Sequence, residues 1–250
     1  MRIHTALTVA GSDPGGGAGI QADLKTFHHR GVYGMAAITA LTAQNTRGVQ
    51  HIEPVSGAMV TAQLDAIFDD LRVDAVKIGM VLDEVVIHAL CRSWESRRLN
   101  IPLVLDPVMV AKDGTPLLQP SALRAYIDHL LPLATLVTPN LPERAVLDAA
   151  GWRPTGAVLT KGGHANTAWL TDVLEVGGEV HRWRHRRTDT IHTHGTGCTL
   201  SAAITAELAR GVPLLHAVGR SIRYVSRLIR EARPGLGGGQ GPLFHGLRSR

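Results

Sequence analysis

Short aliphatic runs recur along this chain at 6–10, 35–41, 75–78, 103–105, 136–138, 157–160 and 168–174. Most are apolar throughout rather than alternating, the pattern of strands covered on both faces. Longer amphipathic stretches lie between them, at 20–30, 60–71, 83–98, 121–131, 142–150, 199–210 and 214–232. In the stretch 199–210, Leu200, Ala203, Ile204 and Leu208 recur at helical spacing, and Gly211 with Pro213 ends it. Strand–helix alternation over the whole length predicts an α/β fold with a mostly parallel sheet and helices on both faces. No repeat or linker divides the chain, so a single domain over residues 1–250 is expected.

In such a sheet, ligands bind beyond the carboxyl ends of the strands. The residues there are mostly glycine or polar: Gly11-Ser12-Asp13-Pro14-Gly15-Gly16-Gly17, Gln44-Asn45, Gly79-Met80, Asp106-Pro107, Pro139-Asn140 and Lys161-Gly162-Gly163-His164. Together they predict one shared rim.

Composition narrows the function. Hydrophobic residues at 44% with charged residues at 19% exclude a disordered chain. No apolar run is long enough for a membrane span, and the opening residues do not form a signal peptide. Cys91 and Cys198 give no disulfide framework, which predicts free thiols in a reducing cytoplasm. The net charge of +5 would suit an anionic ligand. The one dense basic run, 181–187, reads as a solvated hairpin strand. With neither a reading helix nor an aromatic platform, a nucleic-acid partner is not expected. The histidines His28, His29, His192 and His194 lack the spacing of a zinc site.

The turn Gly195-Thr196-Gly197-Cys198 precedes a helix. Glycines allow a sharp turn, and the first free amides of the helix then point into it, as in a phosphate site. Cys198 lies in this turn, where a helix end is expected to favour its thiolate, and a thiolate can take a proton from a hydroxyl. The alternative is a capping turn with a small buried hydrophobe. The loop Gly15-Gly16-Gly17-Ala18-Gly19 lacks the ending of a P-loop and reads as a close-approach loop for a substrate. Asp23, one helical turn further on, is either a ligand-facing carboxylate or an ordinary first-turn acid. The glycine-rich stretch 234–241 reads as a loop before a short tail, with its glycines as candidates for approach to the ligand. Residues 112–116 read as a turn.

The set of blocks taken together resembles the hydroxymethylpyrimidine/phosphomethylpyrimidine kinase family. They are Ala6 to Pro14 with Gly16 to Thr26, Ile38 to Thr46, Lys77-Ile78-Gly79-Met80, Leu105 to Met109, Thr138 to Glu143, Lys161 to His164 and Thr193 to Ser201, in the family's order. The resemblance implies a ribokinase-like three-layer αβα sandwich and two successive phosphorylations of the thiamine pyrimidine precursor. It further implies that Gly11, Ala18, Asp23, Gln44, Met80, Val108 and Cys198 surround the pyrimidine. Lys161, Asn140 and Asp106 would serve ATP, and Glu143 would serve Mg²⁺. Gly195, Thr196, Gly197, Lys161 and Cys198 would be the catalytic set, with Cys198 as base. Gly114 would be the hinge of a flap, and the assembly a homodimer. The segment 144–156 is shorter than in the family's usual pattern, which predicts a thinner outer layer on the nucleotide side. A pyridoxine/pyridoxal kinase is the nearest alternative, and a non-catalytic pyrimidine-binding sensor is an alternative of another class.

Overall fold

A computed structural model describes residues 2–111, 113–164, 167–233 and 235–246. Its main sheet has eight strands in the order β10-β9-β8-β7-β6-β5-β1-β2. These are β1 (Thr5–Ala10), β2 (Tyr33–Ile38), β5 (Ala75–Ile78), β6 (Leu103–Leu105), β7 (Leu136–Val137), β8 (Ala157–Thr160), β9 (Trp169–Val176) and β10 (Glu179–Arg186). The six strands from β8 to β2 run parallel, and β9 and β10 complete the edge antiparallel. The central strands β5 and β6 are buried at every position, as their unbroken apolar runs require. The basic run lies in β10, where exposed and partly buried positions alternate as in a solvated edge strand.

Helices α1 (Gly19–His29), α6 (Thr196–Ala209) and α7 (Leu214–Arg230) form one layer, and α2 (Gly57–Phe68) and α3 (Glu84–Ser96) form the other. The second layer continues through an irregular helical segment at 120–133, whose only α-helical turn is α4 (Leu123–Ala125). The regular helix expected at 121–131 is therefore broken; Pro132, which cannot donate a backbone hydrogen bond, lies at its end. The crossover from β7 to β8 is α5 (Leu141–Ala149), followed by a return that buries Trp152.

The run expected as one strand at 35–41 is two. The chain leaves the sheet at Thr39, whose hydroxyl donates to the Met80 carbonyl at 2.6 Å. It then forms a separate hairpin of β3 (Ala40–Asn45) and β4 (Gly48–Pro54), with a bulge between Ala43 and Gln44. Bulges re-aim side chains next to sites.

Two helix starts show how local sequence serves the fold. Ser56 and Asp83 cap α2 and α3 with their side chains, accepting from Met59 N at 3.2 Å and Val86 N at 2.9 Å. In contrast, α6 starts at Gly195, whose φ of +76° suits glycine, and has no side-chain cap. Thr196 N donates to the Thr193 carbonyl at 3.3 Å, and the next amides, of Gly197 and Cys198, are left for another acceptor.

Candidate active site

The carboxyl ends of β1, β5, β6, β7 and β8 converge on the amino end of α6. A Cβ at Gly197 would lie 3.5 Å from Lys161 Nζ and 3.6 Å from Asp106 Oδ2, so a cation and a carboxylate flank the open turn. Lys161 Nζ donates to Asp106 Oδ1 at 2.6 Å. Thr138 adds a hydrogen bond to the same oxygen at 3.0 Å, and Ser201 donates to Oδ2 at 3.3 Å. Burial works against ionisation of Asp106, but Lys161 and then Lys77 outweigh it and hold the carboxyl below its ordinary range. Burial likewise opposes the charge on Lys161, but Asp106 and Glu143 hold the ammonium above its ordinary value.

Asn140 and Glu143 form a capping box on α5. Asn140 Oδ1 accepts from Glu143 N at 2.9 Å, and Glu143 Oε2 accepts from Asn140 N at 2.8 Å. This pairing fixes both side chains at the end of β7 while leaving the Asn140 amide nitrogen and one Glu143 oxygen outside the box. Burial pushes the Glu143 carboxyl up to about 7, against the pull of Lys161 and with the added push of Asp106.

The opposite wall is built from the first strand and the hairpin. Met80 packs on Gly11, where a Cβ would come within 2.9 Å of its sulfur. Met80 clusters with Ala40, Leu82 and Leu117, and Val108 packs against that cluster. This gives an apolar surface of the kind that takes a flat ring. Gln44 reaches in from β3, with Nε2 3.4 Å from His194 Nε2.

The glycine-rich N-terminal loop is tied down by Asp13. Its carboxylate accepts from the amides of Gly15, Gly17 and Ala18 at 2.8, 3.0 and 2.8 Å. It also lies 2.8 Å from His194 Nε2. Burial would raise the Asp13 carboxyl, but the His194 contact and these amides hold it below its ordinary range. The loop touches the anion turn directly: a Cβ at Gly195 would collide with the Gly17 carbonyl and lie 3.2 Å from Ala18 Cα.

Two expectations need correction. Asp23 does not line the open wall. It is fully buried beneath it, with Oδ2 accepting from Lys77 Nζ at 2.8 Å and from Thr8 Oγ1 at 2.6 Å. The expected acidity of Cys198 is not met either. Cys198 is partly buried, and burial pushes its thiol up to about 11 against the pull of Lys77. The helix end alone does not make a thiolate here.

The loop around Gly114 docks on the hairpin, with Val49 N donating to Asp113 Oδ2 at 2.7 Å. Lys112 of this loop lies outside the described residues. The C-terminal glycines do approach the site's rim. Gln240 N donates to the Thr46 carbonyl at 2.8 Å, Gly239 N to Thr46 Oγ1 at 3.1 Å, and His194 N to the Gly241 carbonyl at 3.2 Å. Pro234 lies outside the described residues. The sequence reading assigned no role to Asp13, Lys77, Thr8, Thr138 or Ser201. Lys77 carried a signal, a charge inside an apolar strand run, which is costly to bury unless paired.

The parallel sheet, the uncapped anion turn and the lysine–carboxylate pair beside it define a ribokinase-like small-molecule kinase. The chain belongs to the phosphomethylpyrimidine kinase family, whose model matches residues 13–244. It is 50% identical over 257 residues to the hydroxymethylpyrimidine/phosphomethylpyrimidine kinase of Rhizobium meliloti (strain 1021), covering 96% of each chain. A phosphomethylpyrimidine kinase structure from Clostridium difficile 630 superposes with a TM-score of 0.77 at 38% identity, over 91% of this chain and 100% of that one. An ADP complex of Bacillus subtilis pyridoxal kinase superposes with a TM-score of 0.85 at 35% identity, over 98% of both chains.

Proposed function

We propose that this chain phosphorylates 4-amino-5-hydroxymethyl-2-methylpyrimidine with ATP and then phosphorylates the resulting monophosphate, in thiamine biosynthesis. The observation that carries the reading is the amino end of α6, left uncapped between Lys161 and the Gly11–Met80 wall. The donor phosphates lie on the Lys161 side and the pyrimidine ring on the Met80 and Val108 side, with the transferred group between them.

The chain's residues divide the work. The amides of Gly197 and Cys198 and the Lys161 ammonium stabilise charge on the group in flight. The acceptor is held in line by the walls that position its ring. Gln44 offers an amide to the ring's amino and nitrogen groups. Cys198 takes the hydroxyl proton in the first transfer only in its thiolate form, the minor form of a thiol that burial holds up at about 11. In the second transfer the acceptor is an ionised phosphate and has little need of a base. Asn140 and Lys161 face the nucleotide.

Mg²⁺ in kinases is held through one or two carboxylates together with phosphates and water. Asp106 and Glu143 make such a donor set beside Lys161; burial, more than the neighbouring Asp106 charge, raises the Glu143 carboxyl, and a cation would favour its ionised form. Among the described residues, no group of three or more histidine, cysteine or carboxylate side chains forms a metal cage. Mg²⁺ would neutralise phosphate charge there. The protein works as a homodimer of single-domain kinases in the cytoplasm; among the described residues, no helix is long and apolar enough to cross a membrane.

Pyridoxal phosphorylation is the second reading, favoured by the likeness to pyridoxal kinase. ADP release measured side by side with the hydroxymethylpyrimidine, its monophosphate and pyridoxal decides between them. Turnover with both pyrimidines and at least tenfold weaker turnover with pyridoxal is expected. Turnover with pyridoxal alone would reverse the assignment.

A further inference from the structure

The C-terminal part of the chain holds the anion turn on both of its flanks. Before the turn, His194 N donates to the Gly241 carbonyl at 3.2 Å, and His194 pairs with Pro242 in a short parallel bridge. Beyond it, Thr199 Oγ1 lies 2.9 Å from His245 Nε2. Between these contacts, Leu243 is buried in the core cluster that also contains Leu200 and Ala203 of α6. Thr199 and His245 are both buried, so water does not compete for the bond between them. Burial, reinforced by Lys25 and His29, pushes the His245 imidazole down to about 4, so the ring is uncharged at neutral pH. Thr199 also reaches the turn itself. Its hydroxyl donates to the Gly195 carbonyl at 2.8 Å, and its amide donates to the same oxygen at 2.9 Å. The threonine oxygen therefore bridges the His245 ring and the first carbonyl of the turn.

We propose that His245 is a positioning residue for phosphoryl transfer, acting through Thr199 to fix the Gly195 carbonyl and so the direction of the Gly197 and Cys198 amides. The inference rests on the reading of this turn as the place that receives the transferred group. Glycine has the freest backbone, and the turn contains Gly195 and Gly197, with Gly195 at a φ of +76° and no side-chain cap on α6. Its shape is therefore set from outside, by what grips His194 and Thr199. Donors that face a developing charge work best when already aimed, because no reorganisation is then needed. The His245–Thr199 bond supplies that aim, and Leu243 anchors the segment that carries it. The acceptor's ring is held on another wall, by Met80 and Val108, so the effect of His245 falls on the rate of transfer and not on the choice of acceptor.

The test compares His245→Leu, Thr199→Val and His245→Gln with the unaltered enzyme. Two quantities are read: single-step rates with each acceptor, and the NMR signals of the Gly197 and Cys198 backbone amides in isotopically labelled protein. His245→Leu is expected to lower kcat about tenfold for both transfers, because a small misdirection of the receiving groups is costly. KM for the acceptors should stay within about twofold, since their binding walls are untouched. Thr199→Val breaks the same bond from the α6 side while leaving His245 and Leu243 in place, and should do the same. His245→Gln offers an amide at similar reach and should recover most of the lost rate. The two amide signals should move in the first two variants and return toward their original positions in the third. Signals that stay in place in folded His245→Leu and Thr199→Val overturn the inference. So does a fall in melting temperature with kcat unchanged, which would leave His245 a structural residue only. If the unaltered enzyme turns over no acceptor, the proposed function falls, while the amide signals still decide whether His245 sets the turn.

Discussion

The floor and the rim of the site are built in different ways. The floor is made of strand ends and the start of α6, and its charges are paired and shielded from water, fully for Lys77 with Asp23 and largely for Lys161 with Asp106. The rim is made of the β3–β4 hairpin, the loop around Gly114 and the C-terminal glycines, joined through backbone bonds such as Gln240 N to the Thr46 carbonyl. From Leu41 to Asn45, β3 alternates between exposed and partly buried, and all of β4 is at least partly exposed, whereas β5 and β6 are buried throughout. A charge fixed in a closed interior keeps its strength because water cannot screen it, while a surface segment can adjust to what it holds. The difference teaches that phosphoryl transfer belongs to the floor and choice of acceptor to the rim.

Substitutions in the floor should break that division most visibly. Lys161→Met removes a cation from the transferred group and leaves Asp106 with only hydroxyl partners. A loss of about 10³-fold in kcat/KM is expected for both acceptors, read by steady-state ADP release. Cys198→Ala should separate the two steps, slowing the first about 10²-fold and the second less than about tenfold. Equal losses in the two single-step assays would take the base away from Cys198. At the rim, Gln44→Leu is expected to raise KM for the alcohol about tenfold with kcat nearly unchanged, as loss of uniform binding does; a fall in kcat alone would place Gln44 in the transition state.

The pH response comes from Glu143. Its carboxyl titrates at about 7 in the folded protein, so the proton leaves and the metal-binding form appears as pH rises through that value. Apparent affinity for Mg²⁺–ATP should rise about fourfold from pH 6.5 to 8, and Glu143→Gln should flatten that dependence in a titration of nucleotide affinity. The smallest effect is expected at the strap that the C-terminal glycines form over Thr46. Thr46→Val removes one acceptor for Gly239 and should lower stability by about 1 kcal/mol, or Tm by about 2–4 °C, with little change in kcat.

Much of this floor is legible in the sequence, because buried parallel strands must be apolar and their ends must carry whatever is polar. Lys161, Asp106, Glu143 and the Gly195–Cys198 turn stand where the strand ends put them. The break at Thr39 is less legible: nothing in a continuous run from Met35 to Leu41 tells that a hydroxyl will cross to Met80. Depth is hidden as well. Asp23 has the spacing of a ligand-facing residue, but the packing of α1 on β1 sets it below the surface. The thiol of Cys198 shows the same limit, since a helix terminus is a local feature and enclosure by neighbouring strands is not. The strap escapes local reading because Gly237 and Gly239 acquire meaning only from Thr46, far off in the chain.

The contact between Gly195 and the Gly17 carbonyl bears on how such an enzyme can be altered. Two loops from opposite ends of the chain share one backbone joint, so neither can be lengthened or given a larger residue by itself. A variant library that randomises only one of them would return mostly inactive clones. Retargeting the pocket to a bulkier acceptor therefore calls for compensating changes drawn from both loops at once, or for leaving the joint alone and remodelling the hairpin instead.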